Sequence, residues 1–143
     1  MTPQNQCIPY FEPGGELTAQ AAVALLGCRF VDIDPAKVNF QAQVGLMATS
    51  DDSNVWIKYA TAAKRCFGVS GWDVAQNKFV TVFRGPGFCV PVKAAAAAAL
   101  VPGDEVEVGA NGEAVKLASG VAVGKNMRNF TAGASNFAAV LLY

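Results

Sequence analysis

The sequence predicts an all-β protein, a compact antiparallel β-sandwich or barrel with at most one or two short helices. Short runs rich in β-branched and aromatic residues recur about every ten residues, most regularly after residue 65. Turns built from Gly, Pro and Asn separate these runs. Between residues 101 and 117, an Asn-Gly pair divides two segments in which apolar and polar residues alternate. That pattern is a strong short-range signal for a β-hairpin.

Length and charge limit the possible functions. The chain has 143 residues, enough for one domain that buries about two thirds of its unfolded surface. Lys and Arg total 11, and Asp and Glu also total 11. Without a basic surplus to neutralise phosphates, direct nucleic-acid binding is not expected. Lys58, Lys64 and Arg65 form a local basic grouping, which we interpret as a solvated face.

The sequence also suggests where the chain is made. Residues 1–6 are polar and uncharged, which is not typical of a signal peptide. No apolar run reaches the ~18 residues that a membrane span needs, so no membrane association is expected. Cys7, Cys28, Cys66 and Cys89 lack metal-site spacing. We therefore expect reduced, mostly buried thiols in a protein made in a cytoplasm, with no bound metal.

Residues 1–15 are predicted to be an extended N-terminal arm, followed by a single β-rich domain over residues 16–143. Three prolines and a Gly-Gly pair prevent a helix from running through the arm. Ile8, Pro9, Tyr10 and Phe11 make it partly apolar. Two interpretations remain open: the arm docks on a partner or neighbouring subunit, or it forms an edge strand against its own sheet.

The next segment allows two structures. Residues 16–27 are rich in helix formers, and Thr18 is a candidate cap for a short helix that ends at Gly27. Residues 25–33 also fit a strand, most clearly from Phe30 to Ile33 before the Asp-Pro turn. Further strands are predicted from β-propensity, with a loop over residues 126–135. They are residues 55–59, 65–70, 78–84, 88–92, 120–124 and 137–143.

The hairpin has a predicted register. A two-residue type I′ turn at Asn111-Gly112 would place Val108 opposite Val115 and Val106 opposite Leu117 on one face. Glu107 would then lie opposite Lys116 on the other, exposed face, as an oppositely charged cross-strand pair.

Residues 94–99 are six consecutive alanines between Pro91 and Pro102. Alanine favours helix, but the bracketed segment is shorter than the ~12–15 residues that an isolated helix needs. We interpret it as a helical turn or an extended linker that lies flat on a neighbour. Because alanine side chains permit close approach, Ala96, Ala97, Ala98 and Pro102 are candidate interface residues.

Catalysis is not predicted. The chain has no histidine, which removes the commonest general base and the imidazole metal ligands. The paired carboxylates, such as Asp32 with Asp34, are more typical of solvated surface. Trp56 and Trp72 are expected to pack in the core rather than to line a pocket. No catalytic residue, cofactor or metal ligand is assigned, and the chain is not expected to be an enzyme.

Several segments together resemble the small decoration, or cement, proteins of tailed bacteriophage heads. The resemblance covers residues 65–143 and, loosely, 16–33. It is carried by the alanine-rich stretch, the Gly-Asp-Glu-Val strand from Gly103, the Asn-Gly turn, the Gly-Val-Ala-Val-Gly segment and the closing apolar strand.

The resemblance implies a β-rich protein that assembles, often as a trimer, on the outer surface of a capsid in the virion. There it would bridge major capsid protein subunits and stabilise the head against internal DNA pressure, after synthesis in the host cytoplasm. The alternative is a β-sandwich binding module that recognises carbohydrate or peptide on a host surface. That module would use a Trp-lined face. The predicted interface contacts with a partner or neighbouring subunit are Ile8, Pro9, Tyr10, Phe11, Ala96, Ala97, Ala98 and Pro102.

Overall fold

The computed structural model describes residues 6–9, 16–37, 55–96, 99–129 and 137–143. Within these ranges the chain forms ten β-strands and a single 3-10 turn, Ala110–Gly112, so the all-β prediction is confirmed. The strands are β1 (Leu17–Ala21), β2 (Phe30–Ile33), β3 (Trp56–Tyr59), β4 (Gly68–Ser70), β5 (Phe79–Phe83), β6 (Cys89–Lys93), β7 (Glu105–Val108), β8 (Ala114–Lys116), β9 (Gly124–Asn126) and β10 (Phe137–Leu142).

The first five strands close into a barrel in the order β1-β3-β2-β4-β5. Strand β1 closes it by pairing with β5, where Leu17 lies opposite Val82. The β1–β3 pair is parallel, with Gln20 beside Trp56, and the other barrel pairs are antiparallel. A ring with an odd number of strands cannot alternate direction throughout, so at least one parallel pair is required. The predicted antiparallel barrel is therefore observed with one parallel pair, β1–β3.

The second half of the chain forms a five-stranded antiparallel sheet in the order β6-β10-β9-β7-β8. Strand β10 lies between β6 and β9, so the last strand of the chain is internal to the sheet. Pro91 is on β6, at the edge of the sheet, where a residue without an N–H group is tolerated.

Barrel and sheet share a core because some barrel strands are apolar on both faces. In β2, Val31 packs inside the barrel with Ile57 and Val82. Its neighbour Phe30 points the opposite way and packs with Phe88 from the sheet half of the chain. Phe83, at the end of β5, also joins this second cluster. The sheet contributes a row of fully buried aliphatic side chains to the same cluster, namely Val90, Val92, Val106, Ala138 and Val140.

The helix considered for residues 16–27 does not form, because tertiary contacts override local propensity. Ala19 and Ala21 are buried inside the barrel as part of β1. Thr18, the candidate helix cap, pairs with Thr81 of β5 in mid-strand. Alanine is a strong helix former, but its small side chain also fits the interior of a narrow barrel, where the ladder to β5 satisfies the backbone.

The hairpin forms, but its predicted register is wrong by one residue. The Gly109 N–H donates to the Glu113 carbonyl at 2.7 Å, which leaves a three-residue loop instead of two. Asn111 and Gly112 do adopt positive φ angles of 53° and 69°. Glu107 consequently lies opposite Val115, and Lys116 lies opposite Val106.

Contacts with the barrel explain this longer loop. Gly112 lies against the backbone of Phe30 so closely that a Cβ atom there would overlap the Phe30 carbonyl oxygen. Beside it, Arg29 and Glu113 form an ion pair at 3.0 Å, largely shielded from solvent. Glycine is therefore required at position 112 both for its positive φ and for this close approach.

The two charged residues that were predicted to pair have other partners. The Glu107 side chain is buried, not exposed as expected, and accepts hydrogen bonds from the N–H groups of Gly120 at 2.6 Å and Ala118 at 3.3 Å. Lys116 instead lies 3.6 Å from Asp104. The expected cross-strand pair is thus absent because the one-residue shift places Val115, and not Lys116, opposite Glu107.

The structure shows different bounds for one predicted strand and an extended start to the alanine-rich segment. The strand predicted over residues 120–124 is observed at Gly124–Asn126, so Asn126 belongs to a strand and not to the predicted loop. The alanine-rich segment begins in extended form, since Ala94 bridges to Ala114 and the Ala95 N–H donates to the Ala114 carbonyl at 3.1 Å. Ala97 and Ala98 lie outside the described residues.

The four cysteines are free thiols, as predicted, and three of them are buried. Burial raises the pKa of the Cys66 thiol to about 12. Within the described ranges, no helix is long and apolar enough to cross a membrane.

Candidate interaction surface

The predicted interface residues lie on separate parts of the described structure. Ile8 is 66% exposed, and Pro9 is half-buried. Ala96 and Pro102 are exposed and flank the buried Leu100 in sequence. Tyr10, Phe11, Ala97 and Ala98 fall outside the described residues. The assignment of these eight residues to an interface stays a prediction.

The described part of the N-terminal arm lies against the chain itself. The Cys7 N–H donates to the Gly71 carbonyl at 2.6 Å, and its thiol contacts the Pro91 carbonyl at 3.8 Å. Cys7 is buried in the core shared by barrel and sheet. The next side chain, Ile8, points outward, so this segment combines an anchored residue with an exposed apolar one.

Pro102 adjoins a cluster that a buried asparagine organises. The fully buried Asn126 donates from its Nδ2 to the carbonyls of Val101 at 3.1 Å and Arg128 at 2.8 Å. These bonds fix the backbone on either side of Met127, whose side chain is 52% exposed. Val101 is also exposed. The result is an apolar edge on a backbone that hydrogen bonds hold in place.

Met127 continues into an apolar face of the five-stranded sheet. Its N–H donates to the Ala139 carbonyl at 2.7 Å, which extends the β9–β10 ladder by one residue. Ala139 pairs in turn with Pro91 of β6. Two residues further along β10, on the same face as Ala139, Leu141 pairs with Cys89. We call the residues that point away from the shared core the outer sheet face: Cys89, Pro91, Met127, Ala139 and Leu141. Met127 is exposed, Pro91 and Leu141 are half-buried, and Cys89 and Ala139 are buried.

The composition of β10 shows why this face is unusual. All six residues of the strand are apolar, Phe-Ala-Ala-Val-Leu-Leu. Ala138, Val140 and Leu142 point into the shared core, while Ala139 and Leu141 point outward. A sheet with one solvated face normally alternates apolar and polar residues, and an unbroken apolar strand is typical of a sheet covered on both sides. The sequence carries this signal in its last strand, although the strand alone does not indicate which residues share the face with it.

Charged residues border the outer sheet face. Lys125 of β9 lies opposite Glu105 of β7, and Glu105 accepts a hydrogen bond from the Tyr143 hydroxyl at 2.9 Å. Desolvation and this carboxylate raise the pKa of Tyr143. At the other border, the Lys93 ammonium lies 5.4 Å from the centre of the Phe137 ring. An apolar centre with a charged rim is the usual composition of a protein–protein interface.

The tryptophans of the binding-module alternative lie on the barrel. Trp72 packs against the barrel core, in line with its prediction as a packing residue. Trp56 is half-buried on β3, with the Lys37 ammonium 5.0 Å from its ring centre. Among the described residues, no three Cys, Asp or Glu side chains are grouped in a way that could hold a metal ion.

Comparisons with known proteins concern the fold. The chain is similar to a crystal structure of the N base of head fiber gp8.5 in bacteriophage phi29, with a TM-score of 0.64 and 18% sequence identity. The match covers 90% of this chain and 93% of that one. Neither a family model nor a curated protein matches the sequence. The fold of this chain is therefore one that it shares with the base of a bacteriophage head fiber.

Proposed function

We propose that this chain is a structural protein of a bacteriophage virion that decorates the outer surface of the capsid. It would bridge subunits of the major capsid protein and stabilise the head against internal DNA pressure. The observation that carries the proposal is the outer sheet face, an apolar surface on a fold shared with a phage head fiber base.

The outer sheet face suits contact with a rigid protein surface. Its backbone is fixed by the β6–β10–β9 ladder, so little conformational entropy is lost on binding. Its accessible apolar area comes from the exposed Met127 and from the half-buried Pro91 and Leu141. A standard interface buries about 800 Å² per partner, and many copies on one shell would add avidity.

Self-association as a trimer is part of the proposal. The chain has no net charge, which limits repulsion when identical subunits crowd together on a shell. Light scattering of the purified protein measures its mass in solution. A threefold mass at micromolar concentration supports the trimer, whereas a monomer at all concentrations contradicts it.

Binding to capsids is tested with a matched pair of substitutions. Met127 is 52% exposed on the outer sheet face, and Phe79 is 51% exposed on the barrel. Met127→Glu and Phe79→Glu therefore place the same charge at equally accessible apolar sites. We expect co-sedimentation of wild-type protein with cognate empty shells, binding at least tenfold weaker for Met127→Glu, and binding by Phe79→Glu within about twofold of wild type.

The possible results test the proposed function and the proposed contact surface separately. If wild-type protein does not bind cognate shells, the proposed function is wrong. If it binds and the two variants behave alike, or if Phe79→Glu is the weaker, the outer sheet face is not the contact. A heat-release assay of packaged DNA, with and without bound protein, then tests whether binding stabilises the head.

A further inference from the structure

A cleft of about 330 Å³ lies between the barrel and the sheet, and it reaches the border of the outer sheet face at Tyr143. Its barrel wall comes from residues 65–68 and Gly85, and its sheet wall comes from residues 121–123 with Leu142 and Tyr143. This volume is at the lower end of the range for ligand pockets. The cleft is large enough for a few side chains and too small for a whole secondary-structure element.

The cleft walls combine polar surface with apolar side chains, and they are partly desolvated. Phe67, Val123 and Leu142 line it. Val121, at its border, is 37% exposed. The raised pKa of Cys66, which also lines the cleft, has burial as its main cause.

One guanidinium group lines the barrel wall of the cleft, and a second lies against one of the lining side chains. Arg65 lines it directly and is exposed. The Arg84 guanidinium lies 4.9 Å from the centre of the Phe67 ring, on a residue adjacent to Gly85. The ion pairs among the described residues involve Arg29, Lys58 and Lys116, so neither Arg65 nor Arg84 has a carboxylate partner there.

The sheet wall of the cleft has a different polarity from the barrel wall. Tyr143 donates its hydroxyl hydrogen to Glu105, whose carboxylate lies at the sheet side. A ligand in the cleft would thus meet cations at the barrel end and an anion near the sheet end. This asymmetry defines the charge pattern that a complementary ligand needs.

We propose that this cleft binds a short peptide segment of a partner protein, one that places a carboxylate beside Arg65 and Arg84 and apolar side chains between the two walls. Arginine is well suited to such a ligand, since its planar guanidinium can hold a carboxylate through two hydrogen bonds. Arg84 is already oriented by its stacking on Phe67, so less entropy is lost on binding. The proposal is tested separately from the proposed function, because Arg65 and Arg84 are not part of the outer sheet face.

Selection from a peptide library tests the proposal and identifies the preferred ligand sequence at the same time. Random dodecapeptides in an mRNA-display library are selected on the wild-type protein and counter-selected on the double variant Arg65→Glu/Arg84→Glu. We expect enriched peptides that combine Asp or Glu with apolar residues. Fluorescence anisotropy of the best labelled peptide should show affinity at least tenfold weaker for the double variant, and weaker binding to wild type as salt is raised.

A second double variant, Lys64→Glu/Lys78→Glu, controls for net charge. Both lysines are exposed and neither lines the cleft, while the total change in charge is the same. Its affinity should stay within threefold of wild type. The proposal is overturned if no peptide is enriched, if the enriched peptides lack acidic residues, or if the two double variants bind equally. Equal urea midpoints for all three proteins would establish that the substitutions leave the fold intact.

Discussion

Replacing Phe88 by alanine tests whether barrel and sheet fold as one unit. Phe88 is fully buried immediately before β6, and its ring packs against Phe83 of the barrel with centroids 5.7 Å apart. Truncation removes a large apolar side chain and leaves a cavity at this junction. We expect a loss of about 3–5 kcal/mol in the free energy of unfolding, the usual cost of a buried Phe→Ala change.

The tryptophans that report unfolding and the Phe88→Ala substitution lie on different sides of the junction between barrel and sheet. Both tryptophans belong to the barrel, one on β3 and one packed on the barrel core. Phe88 belongs to the cluster shared with the sheet. If the two halves unfold together, tryptophan fluorescence during urea titration should report the full loss. With a slope of about 2 kcal/mol per M, a loss of about 4 kcal/mol moves the midpoint by about 2 M.

Phe79→Ala is the matched control, because Phe79 is half-exposed and its truncation should change stability by less than about 0.5 kcal/mol. Where the total stability is near the lower end of the usual range of about 5–15 kcal/mol, Phe88→Ala leaves little folded protein. Phe88→Leu leaves a smaller cavity, so it then gives the same test with a smaller loss in the free energy of unfolding. An unchanged tryptophan transition beside a shifted circular-dichroism transition would show that barrel and sheet unfold separately, and the single-domain prediction would be wrong.

The other predictions concern buried polar groups and can be measured by the same urea titration. Asn126→Ala should cost about 2–3 kcal/mol, since it leaves neighbouring backbone groups without partners; a loss below about 0.5 kcal/mol would refute the structural role of Asn126. Glu107→Gln should cost about 1–2 kcal/mol, because a neutral amide replaces the charged acceptor of the Gly120 N–H, and unchanged stability would contradict this. The pKa of Cys66 is raised from 9.0 to about 12, so the folded state holds this proton more tightly than the unfolded state. Stability should be full below about pH 9 and fall toward pH 12, and Cys66→Ala should reduce that slope; an identical slope would exclude Cys66 as its source.

The local pattern of the sequence was sufficient for the all-β class and for most strand positions. Strands β5, β6 and β10 were predicted within a residue or two, because their apolar and β-branched residues are bounded by Gly and Pro turns. The positive φ angles of Asn111 and Gly112 were also predictable, since an Asn-Gly pair between two strands tolerates that conformation better than other residue types.

The candidate surfaces were only partly predictable. The assignment of Pro102 to an interface stays a prediction, and Met127 was not singled out from the sequence, because Asn126 connects its backbone to Val101 across a long separation in the chain. The cleft could not be predicted at all. Arg65 and Tyr143 are far apart in the chain, and they line one cavity only because the barrel packs against the sheet.

The sequence by itself determined most of the strands and turns, because those preferences depend on side-chain shape and on backbone conformation within a few residues. Tertiary structure decided the features that depend on which distant segments each strand packs against. Residues 17–21 became a strand because a barrel strand was available to pair with them. The hairpin took a three-residue loop because Gly112 had to fit against Phe30. Such choices differ by a few kcal/mol of packing and hydrogen bonding, and those contacts exist only once distant parts of the chain have met.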